Sequence, residues 1–101
     1  ARKTGGTCQT IPDQDTVEAV KLLSRYAGIF GEPGGAITVA AAKKMRETGV
    51  LDAGDEVVCC VTGAGFKVDE VLEQIAGPPL VVPAKLGKII EALWEKPVVT
   101  T

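Results

Sequence analysis

Apolar residues recur at helical spacing in several stretches of the chain. Val17, Val20, Leu23 and Ala27 follow Asp13 and Asp15, either of which can cap a helix, with Glu18 three positions after Asp15 and Gly28 as a stop. This spacing predicts an amphipathic helix with one face in the core. A second helix is predicted from about Gly35 to Thr48, closed by Gly49. Its first two turns, Ala36-Ile37-Thr38-Val39-Ala40-Ala41-Ala42, are small and apolar almost all round and should lie buried, leaving Lys43, Lys44, Arg46 and Glu47 wet. A short helix is expected from Lys67 to Ile75, with Val68, Val71, Leu72 and Ile75 on one side. A final helix from about Pro83 carries Leu86, Ile89, Ile90, Leu93 and Trp94 at i, i+3, i+4, i+7 and i+8.

Other segments carry the extended period. Residues 57–61, Val-Val-Cys-Cys-Val, are apolar without alternation, as expected of a central parallel strand covered on both faces. Residues 7–11 are rich in β-branched side chains and end at Pro12, which suits a short edge strand. Leu80-Val81-Val82 could form an extended piece after Gly77-Pro78-Pro79. Residues 28–35 break regular structure with four glycines and a proline. Strand, helix, helix, strand and helix in this order indicate an α/β layered arrangement with a parallel sheet and helices packed on it, here one domain over residues 1–101. A strand apolar on both faces needs more cover than so few elements supply. The expectation is therefore a piece of a larger sheet or a tight oligomer.

Composition narrows the chemistry. The 101 residues carry 11 Lys and Arg against 13 Asp and Glu, a net charge of −2, which argues against nucleic acid as a partner. There is no histidine, so Ser/His and Cys/His pairs, imidazole metal sites and histidine pH switches are excluded. Cys8, Cys59 and Cys60 lack Cys-x-x-Cys spacing, and the adjacent pair would point to opposite faces of a strand, so buried free thiols are expected. No apolar run approaches the roughly 18 residues of a membrane span, and residues 1–6 lack the apolar region of a signal peptide. A cytoplasmic protein with no membrane partner is the expectation. Ala1 without a preceding Met fits a piece of a longer chain, a processed protein or a trimmed one alike.

Two constellations could carry chemistry. In Val61-Thr62-Gly63-Ala64-Gly65-Phe66-Lys67, an apolar strand delivers a hydroxyl and two glycines to the carboxyl edge of a sheet, where ligands of open α/β sheets bind. Glycines let a flat ligand approach the backbone, and a neutral hydroxyl suits an uncharged ring nitrogen. The plain alternative is a structural turn. The partial Gly-x-Gly lacks the third glycine of a dinucleotide loop, with Val68 in its place. The second constellation is Glu32-Pro33-Gly34-Gly35-Ala36, a carboxylate ahead of a helix N-terminus, which either caps the helix or faces a ligand. Lys67 is the only lysine placed as a nucleophile candidate, and a solvated helix start is the plainer role for it.

Gly28-Ile29-Phe30-Gly31-Glu32-Pro33-Gly34-Gly35-Ala36, the helix of small residues, Gly49-Val50-Leu51-Asp52, residues 57–61 and Thr62-Gly63-Ala64-Gly65-Phe66-Lys67 together resemble the last third of the threonine synthases. These belong to the fold type II enzymes dependent on pyridoxal phosphate (PLP). The likeness runs in order over nearly the whole chain, including residues 78–83 and the final helix. It implies that the Thr62 hydroxyl bonds the pyridine nitrogen of PLP, with Gly63 and Gly65 beside the ring and Glu32 nearby. It also implies the family's conversion of O-phosphohomoserine and water into threonine and phosphate.

Ala64, Gly31 and Gly34 depart from the family pattern, in which larger residues are common. The family's Schiff-base lysine and Gly-rich phosphate loop match nothing here, so the resemblance implies a chain inactive alone, partnered by the missing N-terminal portion and forming homo-oligomers. The alternatives are a non-catalytic binding or oligomerisation module, or part of a serine/threonine dehydratase or cysteate synthase. No metal site is expected.

Overall fold

Whether each apolar stripe finds a partner decides how much of this layout forms. The computed structural model describes residues 1–95. It contains four α-helices, α1 (Asp13–Ala27), α2 (Pro33–Glu47), α3 (Asp69–Ala76) and α4 (Leu86–Glu95), with single 3-10 turns at Arg2–Thr4 and Gly65–Lys67.

The helix α1 starts and stops where the sequence indicates, by different means at its start. Asp13 and Asp15 lie inside the first turn and cap nothing with their side chains, which leaves them favourable charges at the positive end of the helix. At the other end Gly28 takes a left-handed conformation, φ 65°, and the N–H groups of Gly28 and Ile29 both donate to the Leu23 carbonyl. The helix α2 begins two residues earlier than expected because Pro33, with its fixed φ and no N–H to lose, occupies the first turn. Its burial is one-sided rather than all round. Gly35, Ala36 and Ala40 are buried, whereas Ile37 is exposed.

The core lies where α1 packs on α2 and α3 closes against α1. Ala19, Val20, Ala36, Ala40 and Val71 form its centre, with Ile11, Leu23, Phe30, Val39, Val68 and Ile75 packed around them. Ala27, expected on this face, is exposed. The Lys44 ammonium donates to the Thr10 carbonyl at 2.8 Å, which ties residues 7–11 to α2.

The layered parallel sheet is not formed. No strand is present among the described residues, and a single antiparallel bridge joins Gly31 to Ala64. A strand exists only by pairing, and the backbone groups of residues 57–61 make no hydrogen bond among the described residues. The run nevertheless alternates. Cys59 and Val61 are half-buried against α2, with the Cys59 thiol donating to the Thr38 carbonyl at 3.8 Å, while Val58 and Cys60 are exposed. One of the two expected faces is therefore covered in part, with Val57 at its start still exposed. The same lack of cover corrects the thiols: all three cysteines are free, but Cys8 and Cys60 are exposed and Cys59 is only partly covered. Residues 80–82 likewise pair with nothing among the described residues, and α4 leaves Leu86, Ile90, Leu93 and Trp94 exposed.

The radius of gyration is 18.0 Å, against about 13 Å for a compact domain of this length. The accessible surface is 7979 Å², against roughly 5,400 Å² for a compact protein of this mass. Val20 is fully buried and Val58 is 90% exposed. Val20→Ala is therefore expected to cost about 2 kcal/mol, and Val58→Ala less than about 0.5 kcal/mol. Urea unfolding of the two variants checks this, and equal losses would mean that residues 57–61 are covered in solution.

Candidate functional site

The chain brings residues 30–35 against residues 61–65, and glycines stand at the crossing. A Cβ built on Gly35 would lie 3.0 Å from both the Val61 Cα and the Thr62 amide nitrogen, so the first turn of α2 rests directly on the backbone of the opposing segment. A Cβ on Gly63 would collide with the Glu32 carboxylate, and one on Gly65 with the Phe30 ring. Gly31 faces a Val61 methyl in the same way. At Gly35 a larger side chain would force the two segments apart, whereas at Gly31, Gly63 and Gly65 the opposing Val61, Glu32 or Phe30 side chain would have to move.

Two main-chain bonds fix the register. The Glu32 N–H donates to the Gly63 carbonyl at 2.8 Å, and the Gly65 N–H donates to the Phe30 carbonyl at 2.9 Å, around the Gly31–Ala64 bridge. Glu32, Thr62, Gly63 and Gly65, all singled out in the sequence, are thus brought into one place. Glu32 occupies the N-cap position of α2 but makes no capping bond with its side chain. Its carboxylate lies over Gly63 instead, half-buried. Thr62 is exposed, and its hydroxyl makes no hydrogen bond among the described residues. Gly65 is buried and Gly63 is partly covered. Lys67 ends the 3-10 turn, exposed.

Sequence reasoning placed Gly35 and Phe66 inside the two constellations without giving them a role, and it gave none to Phe30 and Gly31 beside them. The Phe30 and Phe66 rings meet edge to face, with centroids 4.8 Å apart and an interplanar angle of 82°. The signal was present in the glycine spacing: Gly31 and Gly35 in one segment and Gly63 and Gly65 in the other mark two segments that approach closely. Open grooves elsewhere on α1, one lined in part by Glu18, Leu22, Arg25 and Tyr26, include none of the four predicted residues. No cluster of metal-ligating side chains occurs among the described residues. No helix there is long and apolar enough to cross a membrane.

The family model described as "Pyridoxal-phosphate dependent enzyme" matches residues 1–63, ending inside the site. This chain belongs to that family. Threonine synthase of Methanocaldococcus jannaschii is 34% identical over 91 residues, covering 90% of this chain and 22% of the relative. That of Methanosarcina acetivorans is 35% identical over 95 residues, covering 94% of this chain and 24% of the relative. That of Halalkalibacterium halodurans is 30% identical over 84 residues, covering 82% and 24%. The chain spans less than a quarter of the length of these curated relatives.

Gly34 and Gly35 are neighbours in the first turn of α2 with opposite surroundings, since a Cβ on Gly34 would meet nothing closer than a Glu32 carboxylate oxygen at 4.0 Å. Gly34→Ala is expected to stabilise the chain by up to about 1 kcal/mol, by lowering the entropy of the unfolded state. Gly35→Ala should destabilise it by about 1–3 kcal/mol, because backbone rather than a movable side chain stands in the way. Denaturation midpoints measure both, and a neutral Gly35→Ala would contradict the close approach.

Proposed function

We propose that this chain is the C-terminal part of the large domain of a cytoplasmic, PLP-dependent, threonine synthase-like enzyme, which converts O-phosphohomoserine and water into threonine and phosphate. The observation that supports this reading is the pairing of Glu32 with the turn at 62–65, which brings the Glu32 carboxylate onto Gly63, next in sequence to an exposed Thr62. The residues fit a flat heteroaromatic ring. Gly63 adds no side chain of its own beside the Glu32 carboxylate, and the Thr62 hydroxyl offers one neutral donor and acceptor.

PLP, when bound, supplies an electron sink for elimination and replacement at the β or γ carbon of an amino acid. The residues of this chain would hold and tune it. Thr62 would hydrogen-bond the ring nitrogen without holding a proton there as firmly as a carboxylate would. Gly63 would let the backbone approach the ring, with Gly65 closing the turn behind it, and Glu32 would add a carboxylate nearby. The covalent lysine anchor and the phosphate loop would come from the N-terminal portion. The chain alone is then inactive, and that portion is its first partner.

The same arrangement accounts for the unpaired run at 57–61. With neighbouring strands from the N-terminal portion it becomes an inner strand of the sheet, and the exposed Val58 and Cys60 face is covered. A second reading, a non-catalytic module that associates through apolar faces into homo-oligomers, is favoured by the exposed side of α4.

Mixing this chain with the N-terminal portion of its parent should restore cofactor absorbance and phosphate release from O-phosphohomoserine. In that complex Thr62→Val should weaken PLP binding about tenfold, the loss of one hydrogen bond, with Thr62→Ser close to the parent. A folded mixture that takes up no PLP would overturn the enzyme reading. If O-phosphohomoserine is refused but serine or threonine is consumed, the substrate assignment moves to a dehydratase.

A further inference from the structure

We propose that Phe30 is a positioning residue that sets the pose of the Thr62 hydroxyl by holding the far end of its turn; this rests on the cofactor reading above. The turn is gripped at two points. At its start, the Thr62 amide and the Val61 Cα lie against Gly35 on the first turn of α2. At its end, the Gly65 N–H donates to the Phe30 carbonyl at 2.9 Å, and the Phe30 ring covers the Gly65 Cα so closely that no Cβ fits.

Phe66 completes the grip. Its ring meets that of Phe30 at 4.8 Å and 82° although Phe66 is 74% exposed, so this contact replaces burial in the core as its packing. The chain has two phenylalanines, and both are used at this turn. Phe30 in turn packs on the central cluster of α1, α2 and α3. The ring therefore links a solvent-facing turn to the packed core of the described residues. Without it, the end of the turn is held by main-chain bonds alone, in contact with water.

Phe30→Leu keeps apolar bulk but removes the ring edge, and Phe30→Tyr keeps the ring. In this chain, Phe30→Leu should speed amide hydrogen exchange at Glu32 and Gly65 about tenfold while leaving Val20 and Ala40 unchanged, and Phe30→Tyr should restore the parent rates. In the complete enzyme that carries this segment, Phe30→Leu should weaken PLP binding about three- to tenfold. In a Thr62→Val background it should add less than about twofold, because a ring that acts through Thr62 has nothing left to position. Equal losses in both backgrounds, or unchanged exchange at Gly65, would overturn the proposal. If Thr62→Val alone leaves PLP affinity unchanged, the cofactor reading fails instead, and the exchange rates alone then decide whether Phe30 holds the turn.

Discussion

Two stretches of backbone meet directly where Gly35, in the first turn of α2, rests on Val61 and Thr62, and the arrangement of the site depends on that contact. Gly35 lies on the Val61 and Thr62 backbone, Gly63 lies under the Glu32 carboxylate, and Gly65 lies under the Phe30 ring. Each of these glycines raises the entropic cost of folding, because glycine has the most freedom to lose. The cost is offset by burial of Val20, Ala19, Ala36 and Ala40 next door, where α1 seats α2. Helix packing thus fixes α2, α2 fixes the turn, and the turn fixes Thr62 beside Glu32.

The helices were legible because their hydrogen bonds close within four residues, so the apolar period and the stop signals lie in the segment itself. Gly28 and Pro33 act as those signals indicate. The strand at 57–61 was not legible as an outcome, because a strand is completed by chain far away in sequence. Its composition, Val-Val-Cys-Cys-Val, states what environment the segment suits, not whether that environment is present. Thr62, Gly63, Gly65 and Glu32 were singled out from motif and resemblance, and the fold brings their two segments together. Phe30 was not singled out, since an aromatic residue inside a glycine-rich break carries no period, and its role emerges only when Gly65 arrives underneath it. The direction of the Glu32 side chain was also hidden: a carboxylate ahead of a helix reads as a cap, and only the close approach of Gly63 shows it turned elsewhere.

One cause underlies the two main mismatches. Residues 57–61 remain extended without a ladder, and α4 forms yet leaves its apolar side in water. A helix keeps its backbone bonds when its partner is missing, whereas a strand keeps none. The same missing cover therefore leaves α4 helical and bare but leaves the inner strand unmade. The surplus of surface over a compact protein of this mass, roughly 2,500 Å², is of the size that obligate interfaces bury.

Glu32 and Thr62 are thirty positions apart, but every contact that brings them together lies within this chain. The Glu32–Gly63 and Gly65–Phe30 bonds cross from one segment to the other without help from residues 57–61 being paired. On the proposed reading, the ring-facing half of the cofactor site is shaped by the α1, α2 and α3 core before any sheet is completed. Completion then has a different task. It adds the covalent and phosphate anchors and covers the open face of the strand that leads into Thr62. On that reading a site divided in this way separates shape from affinity: the Glu32 carboxylate and the turn that carries Thr62 are already together here, while retention of PLP would depend on groups supplied from outside.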